Sequence, residues 1–179
     1  MIPDSEAAIE ETIKKAEDTC DALVTTGGVS MGDFDYVKIV LNRLGEMRWM
    51  QVAIKPAKPL AYGIVNELPV FGLPGNPVSS MVSYELFARP ALRKMSGNKN
   101  PYRTIFEGKA TQDFLRKPDG KTHFFRVSAD VGEGTPKIQS AGHQGSHQLT
   151  GMAGANALAI LPDGNGVTQD ATLEFLFLD

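Results

Sequence analysis

The 179-residue sequence has one cysteine, Cys20, which excludes an internal disulfide and fits a reducing cytosol. A catalytic thiol needs a base beside it, and the nearest histidine along the chain is His123, so Cys20 reads as a small packing residue. No run of about 18 apolar residues occurs, and Met1-Ile2-Pro3-Asp4 opens without a basic segment or an apolar stretch. Neither a membrane span nor a signal peptide is expected, and the protein reads as cytoplasmic. Charge of one sign is lacking too. The chain carries 18 Lys and Arg against 21 Asp and Glu, a formal net charge of -3. Residues 1 to 98 hold 10 basic and 12 acidic side chains, and residues 99 to 179 hold 8 and 9, so neither part has the bias of a nucleic-acid binder. What is present, 42% hydrophobic and 22% charged residues, is ordinary globular composition with enough length to bury a core.

Local patterns divide the chain. Ile9 and Ile13 sit four apart among Glu10, Glu11, Lys14 and Lys15, the mark of a surface helix that Asp4 or Ser5 can cap. Asp21 to Thr26 is a short apolar run ending at Gly27-Gly28, which suits a buried strand entering a loop. Phe34, Val37, Val40, Leu41 and Leu44 then recur at helical spacing, with Asp33 as the expected N-cap and Gly45 as the stop. Trp49, Val52 and Ile54 favour a strand, after which Lys55-Pro56-Ala57-Lys58-Pro59 predicts a rigid connection that breaks any ladder. A hairpin is expected around Asn66-Glu67. Val78 to Met95 predicts a long helix, capped by Asn76, with Pro77 in its first turn and a kink or restart at Pro90. From Tyr102 onward, short strand-like runs separated by Gly, Pro and Asp mark a small β domain. The expected domains are 1-98, an α/β domain, and 99-179, a β domain. Because the first opens on a helix, with few strands for a three-layer sheet, an N-terminally truncated α/β domain is expected.

Two segments could bind anions. Thr25-Thr26-Gly27-Gly28-Val29-Ser30-Met31-Gly32 lies between a strand and a helix, where glycines let backbone amides approach a ligand; a tight βα turn would explain Gly-Gly equally well. Gly72-Leu73-Pro74-Gly75-Asn76-Pro77 repeats that arrangement, and two such loops at neighbouring strand ends would line one crevice. Asp33 and Asp35 beside a phosphate would repel it unless a cation bridged them, which makes Mg²⁺ a coherent third component. Asp33 is accounted for by capping, leaving Asp35 as the tentative metal or catalytic residue. Lys55 and Lys58 face an anion or only solvent. His143 and His147 in Gly142 to Gln148 lack a nearby carboxylate or cysteine, so hydrogen bonding to an anionic ligand or a neighbouring domain is favoured over metal ligation.

Taken in order, DALVTTGGVSMGDFDYVK, VAIKPAKPLAYG, VFGLPGNPVSSMVSYELFARPALRKMSG and AGHQGSHQLTGMAGANALAILP resemble the signature segments of molybdopterin molybdenumtransferases, the family of the gephyrin E domain. The resemblance runs from about Ile2 to the C-terminus. It implies most of a three-layer molybdopterin-binding α/β domain, the family's third, followed by a small all-β barrel-like domain, its fourth. It further implies adenylylated molybdopterin and molybdate as substrates, Mg²⁺ as cofactor, release of AMP, and a homodimer in the complete protein. Carried over by position, Asp4, Asp35 and Lys55 are the expected catalytic residues. Gly27, Gly28, Ser30, Lys58, Pro74, Gly75, Asn76 and Pro77 bind substrate, as do Arg126 and Ser146 on the cleft side of the fourth domain. The sequence departs from many relatives in having Ala57 in place of glycine, and from some in having no lysine near Gln51. Two other readings are a stand-alone molybdopterin-binding adenylyltransferase, which lacks the fourth domain, and a non-catalytic scaffold module.

Overall fold

The computed structural model describes residues 2–29, 35–145 and 149–178, with 149 and 150 described by backbone alone. Contacts divide it into two compact units, Met1–Val52 with Ala57–Leu92, and Ala53–Pro56 with Arg93–Asp179.

The first unit opens on α1 (Glu6–Thr19), whose N-cap is Ser5, accepting from the Ala8 amide at 3.4 Å, and whose buried stripe is Ile9, Ile13 and Ala16. β1 (Leu23–Thr26) and α2 (Tyr36–Leu44) follow, then β2 (Glu46–Gln51). β3 (Ile54–Lys55) leaves for the second unit, and the chain returns as β4 (Pro59–Val65) and β5 (Leu68–Leu73). The sheet order is β1-β5-β4-β2, with β1 and β5 parallel and the other pairs antiparallel. Asn66 and Glu67, at φ 45° and 74°, make the two-residue turn between β4 and β5. Apolar residues pack on each face of the sheet: Ile9, Ile13, Val40 and Leu41 of the two helices cluster with Val70, whereas its neighbour Phe71 clusters with Leu60, Leu73 and Ala88.

The stretch expected as one helix is α3 (Pro77–Ser83), a π turn over Tyr84–Ala88, and α4 (Arg89–Met95). Pro90 is the physical reason. Its ring crowds the carbonyl four residues back and it has no amide to donate, so the ladder widens and the Arg89 amide donates to the Tyr84 carbonyl, five residues back. The helix absorbs the proline without a break.

The second unit contains β6 (Ile105–Ala110), β7 (Phe114–Leu115), β8 (Thr122–Asp130), β9 (Lys137–Ser140), α5 (Leu149–Ala153), β10 (Ala157–Leu161), β11 (Gly166–Val167) and β12 (Thr172–Phe177). Strands run β10-β12-β6-β9-β8, and pairing of β8 back onto β10 closes a five-stranded barrel. Closure satisfies strand edges that would otherwise stay open. Phe175, Leu161, Ile138 and Val127 fill its core alongside the small Ala157 and Ala159. β7 and β11 pair separately, and β3 adds in parallel beside β8, Ile54 against Thr122 and Lys55 against His123. Lys55 therefore sits in a ladder and not in the free connection expected for residues 55 to 59, because the proline that follows it does not prevent Ile54 and Lys55 from pairing. Among the described residues, no helix is long and apolar enough to cross a membrane.

Candidate functional site

The parallel pairing of β1 and β5 sets both carboxyl ends at one edge of the sheet, so the loops after them are neighbours. The Gly27 amide donates to the Leu73 carbonyl at 2.9 Å. A Cβ on Gly75 would lie 3.3 Å from the Gly27 Cα, tighter than ordinary contact, which is why both positions suit glycine. Gly27 and Gly28 stand at φ 89° and 77°, the left-handed region that glycine enters without strain. Thr25 Oγ1, at the end of β1, is buried and has no hydrogen-bond partner among the described residues. Two glycine-lined turns and the unsatisfied Thr25 hydroxyl thus lie at one edge of the sheet, with the Gly27 amide already committed to Leu73.

Asp35 belongs to the same place. A Cβ on Gly28 would come within 2.9 Å of Asp35 Oδ1 and 2.4 Å of Val37 Cβ. Asp35, not Asp33, is the N-cap of α2, with Oδ1 accepting from the Val37 amide at 3.2 Å. This corrects the argument that capping accounts for Asp33 and spares Asp35. A cap occupies one oxygen of the carboxylate and leaves its charge and second oxygen available. Pro74, Gly75, Asn76 and Pro77 form the second wall, Pro77 at the first position of α3 with Asn76 as its N-cap residue. Asp4 is exposed, before α1. Ser30 and Ser146 lie outside the described residues.

The two lysines of the proline-rich segment divide between the units, Lys58 in the first and Lys55 in the second. Between them Ala57 is 3% exposed at φ 75°, a backbone conformation that costs a non-glycine residue about 1–2 kcal/mol.

In the barrel unit Arg126 is fully buried. Its Nη2 donates to the carbonyls of His143 at 2.9 Å and Gly145 at 3.2 Å, while Nε and Nη1 have no partner among the described residues. Gln144 clasps the Arg126 backbone, accepting from its amide at 2.8 Å and donating to its carbonyl at 2.9 Å. Burial lowers the proton affinity of the guanidinium. The sequence reading singled out the 142–148 segment but not Gln144 as its anchor, since nothing local ties residue 144 to β8.

A polar network unseen in the sequence lies at the start of β8. Arg116, whose side chain is 2% exposed, donates to Asp119 at 2.6 Å and Asp163 at 2.9 Å, and to the carbonyls of Lys121, Leu161 and Pro162. Lys121 and His123 Nε2 each reach Asp119 at 3.1 Å. Partial burial works against the charged form of Asp119, but hydrogen bonds from Lys121 and His123 outweigh it and hold its carboxyl at about 2. Burial lowers the pKa of His123, and the charges of Arg116 and Lys55 add to this against Asp119, so the ring is neutral at neutral pH.

Both shifts have the same sign for stability. The unfolded chain takes up a proton at His123 before the folded one does, and the unfolded Asp119 protonates near its ordinary value while the folded carboxyl waits until about 2. Stability of the barrel unit is therefore expected to fall in two stages on acidification: below the ordinary histidine range, then between about pH 4 and pH 2. Thermal midpoints of wild type, His123→Phe and Asp119→Asn across pH 2 to 8 check this. The penalty of Asp119→Asn relative to wild type should shrink through the second window and vanish at its acid end.

An α/β unit whose two glycine-lined loops meet at one sheet edge, with a closed five-stranded barrel as the second unit, defines the class of two-unit α/β and barrel proteins. The chain belongs to the family described as "Probable molybdopterin binding domain", which matches residues 1–94, and residues 109–176 match the MoeA C-terminal region, domain IV. Among its relatives, the molybdopterin molybdenumtransferase of Haemophilus influenzae is 35% identical over 171 residues, 93% of this chain and 41% of that protein. The molybdopterin molybdenumtransferase of Bacillus subtilis is 35% identical over 174 residues, 96% of this chain and 39% of that protein. The crystal structure of a molybdopterin biosynthesis MoeA protein from Pyrococcus horikoshii has the same fold, with a TM-score of 0.76 at 24% identity over 98% of this chain and 42% of that one. The chain thus spans about two fifths of the length of the curated relatives it matches.

Proposed function

We propose that the chain provides the molybdopterin-binding and barrel units of a molybdopterin molybdenumtransferase, a cytoplasmic enzyme that inserts molybdenum from molybdate into adenylylated molybdopterin and releases AMP. The observation that carries this reading is the convergence of the Gly27-Gly28 and Pro74-Gly75-Asn76-Pro77 loops on one sheet edge, with Asp35 beside Gly28. Helical residues packed on each face of the sheet support a three-layer α/β domain. The match of residues 109–176 to domain IV favours a molybdenumtransferase over a stand-alone adenylyltransferase and over a scaffold module. A homodimer of the complete protein belongs to the same reading.

In it, the Gly28 amide and the Thr25 hydroxyl bind the phosphate oxygens of the substrate, and Ser30 and the Pro74–Pro77 turn complete the walls. Lys55 and Lys58 supply positive charge to the pyrophosphate or molybdate, Asp4 a second carboxylate, and Arg126 and Ser146 the contribution of the barrel unit. Among the described residues no group of three or more His, Cys, Asp or Glu could hold a metal. A lone Asp35 fits Mg²⁺ all the same, since that ion binds through one or two carboxylates together with substrate phosphates and keeps several waters. When bound, Mg²⁺ neutralises phosphate charge.

Asparagine caps a helix about as well as aspartate, whereas alanine gives up about 1 kcal/mol. Asp35→Asn is therefore expected to keep the wild-type thermal midpoint and Asp35→Ala to lower it. In the complete enzyme, Asp35→Asn should raise the Mg²⁺ needed for adenylate hydrolysis by about tenfold or more. An unchanged Mg²⁺ requirement removes Asp35 from cation binding.

A further inference from the structure

Gly72 lies inside β5, paired with Thr25 of β1 and Ala61 of β4. A glycine within a strand costs stability and commonly marks a place where another part of the chain comes close. Its φ is not positive, so the backbone would accept any residue and the requirement is one of space. A Cβ on Gly72 would stand 2.7 Å from Val29 Cγ1 and 2.9 Å from Ala61 Cβ, distances that real Cβ atoms do not keep. Val29, 6% exposed, therefore occupies volume that a side chain at position 72 would take. The loop after β1 is thus held at three successive residues. Gly27 donates to the Leu73 carbonyl at 2.9 Å, Gly28 lies against the start of α2, where a Cβ would meet Val37 Cβ at 2.4 Å, and Val29 fills the hole at Gly72.

We propose that Val29 is a positioning residue for the Gly27-Gly28 loop: its side chain is a knob seated in the hole that Gly72 leaves in β5, and this seat sets where the Gly28 amide is presented. The β1 ladder ends with Thr26 against Leu73, and the amide bond of Gly27 extends it by one residue. Two glycines at that point give the backbone more freedom than other residues would, and the buried Val29 side chain restrains what they leave free. Valine suits the seat, since branching at Cβ restricts its rotamers. The consequence for ligand binding rests on the reading of this loop as the phosphate site.

Amide hydrogen exchange of the purified chain, followed by NMR, tests the seat. The Gly27 amide is the reporter, and the Val52 amide, bonded to the Lys58 carbonyl at 2.8 Å in the same unit, is the reference. Val29→Ala gives up two buried methyl groups and should raise the Gly27 to Val52 exchange ratio about tenfold. Gly72→Ala fills the hole and should raise the ratio too. After Val29 Cγ1 and Ala61 Cβ, the next atom from the new methyl is Thr25 Oγ1 at 3.7 Å, so adding Val29→Ala to Gly72→Ala restores ordinary contact on the loop side. That double variant should exchange more slowly at Gly27 than Gly72→Ala does, and since both keep the crowded Ala61, the difference belongs to the loop. Should Gly72→Ala fail to fold, Val29→Ala carries the test. An unchanged ratio in Val29→Ala, or a double variant no lower than Gly72→Ala, overturns the proposal. In calorimetry with AMP, affinity should fall about threefold or more in Gly72→Ala and recover in the double variant; an affinity unchanged in Gly72→Ala would overturn the positioning role. Exchange involves no nucleotide, so it decides the seat even if the wild-type chain binds no AMP, a result that would count against the phosphate-site reading alone.

Discussion

Arg126→Met is expected to leave the barrel unit at least as stable as wild type. The guanidinium is fully buried and makes two hydrogen bonds through Nη2, while Nε and Nη1 have no partner among the described residues. Each bond to a charged donor contributes about 1.5–3 kcal/mol, and taking the cation out of water costs several kcal/mol, so gain and cost come close to cancelling. A methionine of similar length fills the space without that cost, and such replacements are commonly neutral or stabilising by about 1–4 kcal/mol. Arg126→Ala should behave oppositely, leaving a cavity beneath Gly151 and costing about 3 kcal/mol or more. What methionine loses is the pair of bonds to His143 and Gly145. Amide exchange of residues 143 to 145 should accelerate in Arg126→Met while the rest of the barrel keeps its protection. In the complete enzyme the same variant should lose substrate affinity, the pattern of a residue kept for function at the expense of stability. A fall of more than about 2 kcal/mol in Arg126→Met would show that its bonds outweigh its desolvation, and the charge would then be structural.

The sequence was most informative where the signal was local. The run ending at Gly27-Gly28, the turn at Asn66-Glu67 and the Asn76-Pro77 helix start each stand in the structure where they were expected. β1, however, expected to be buried, has Val24 and Thr26 exposed because it pairs on one side alone among the described residues. Non-local pairings were not legible. β3, β7 and β11 are two residues long, too short for any period, and β3 is held by residues about seventy positions away. Arg126 reads as an exposed residue by type, yet β8 departs from alternation because closure of the barrel buries positions on both of its faces, and the residue lies inside. The Arg116, Asp119 and His123 network met the same obstacle, since Asp163, which completes it, arrives from the other side of β10. The caps were assigned to the right turns. Their exact positions depended on where each helix begins: Asp35 caps α2 because the first helical residue is Tyr36.

By itself the 179-residue chain is expected to bind AMP or adenylylated molybdopterin and to fail in turnover. The first unit holds the proposed phosphate-binding elements: the Gly27-Gly28 and Pro74–Pro77 loops, the Thr25 hydroxyl and Asp35 stand on a sheet and helices with their own apolar clusters. Chemistry asks more than binding. The curated relatives extend over more than twice the length matched here, and whatever that remaining length contributes to holding substrate and catalytic groups in register is not supplied by this chain. A displacement of about 1 Å in a catalytic constellation costs about 10²-fold in rate, so loss of even one outside support removes most of the activity. Calorimetry with AMP should give a measurable affinity that weakens when Gly75→Val pushes against Gly27, because the two loops are then forced apart. An AMP-release assay with molybdate and Mg²⁺ should show at most about one hundredth of the rate of a full-length relative. Equal turnover by this chain would sink the expectation and confine the whole reaction to the two units described.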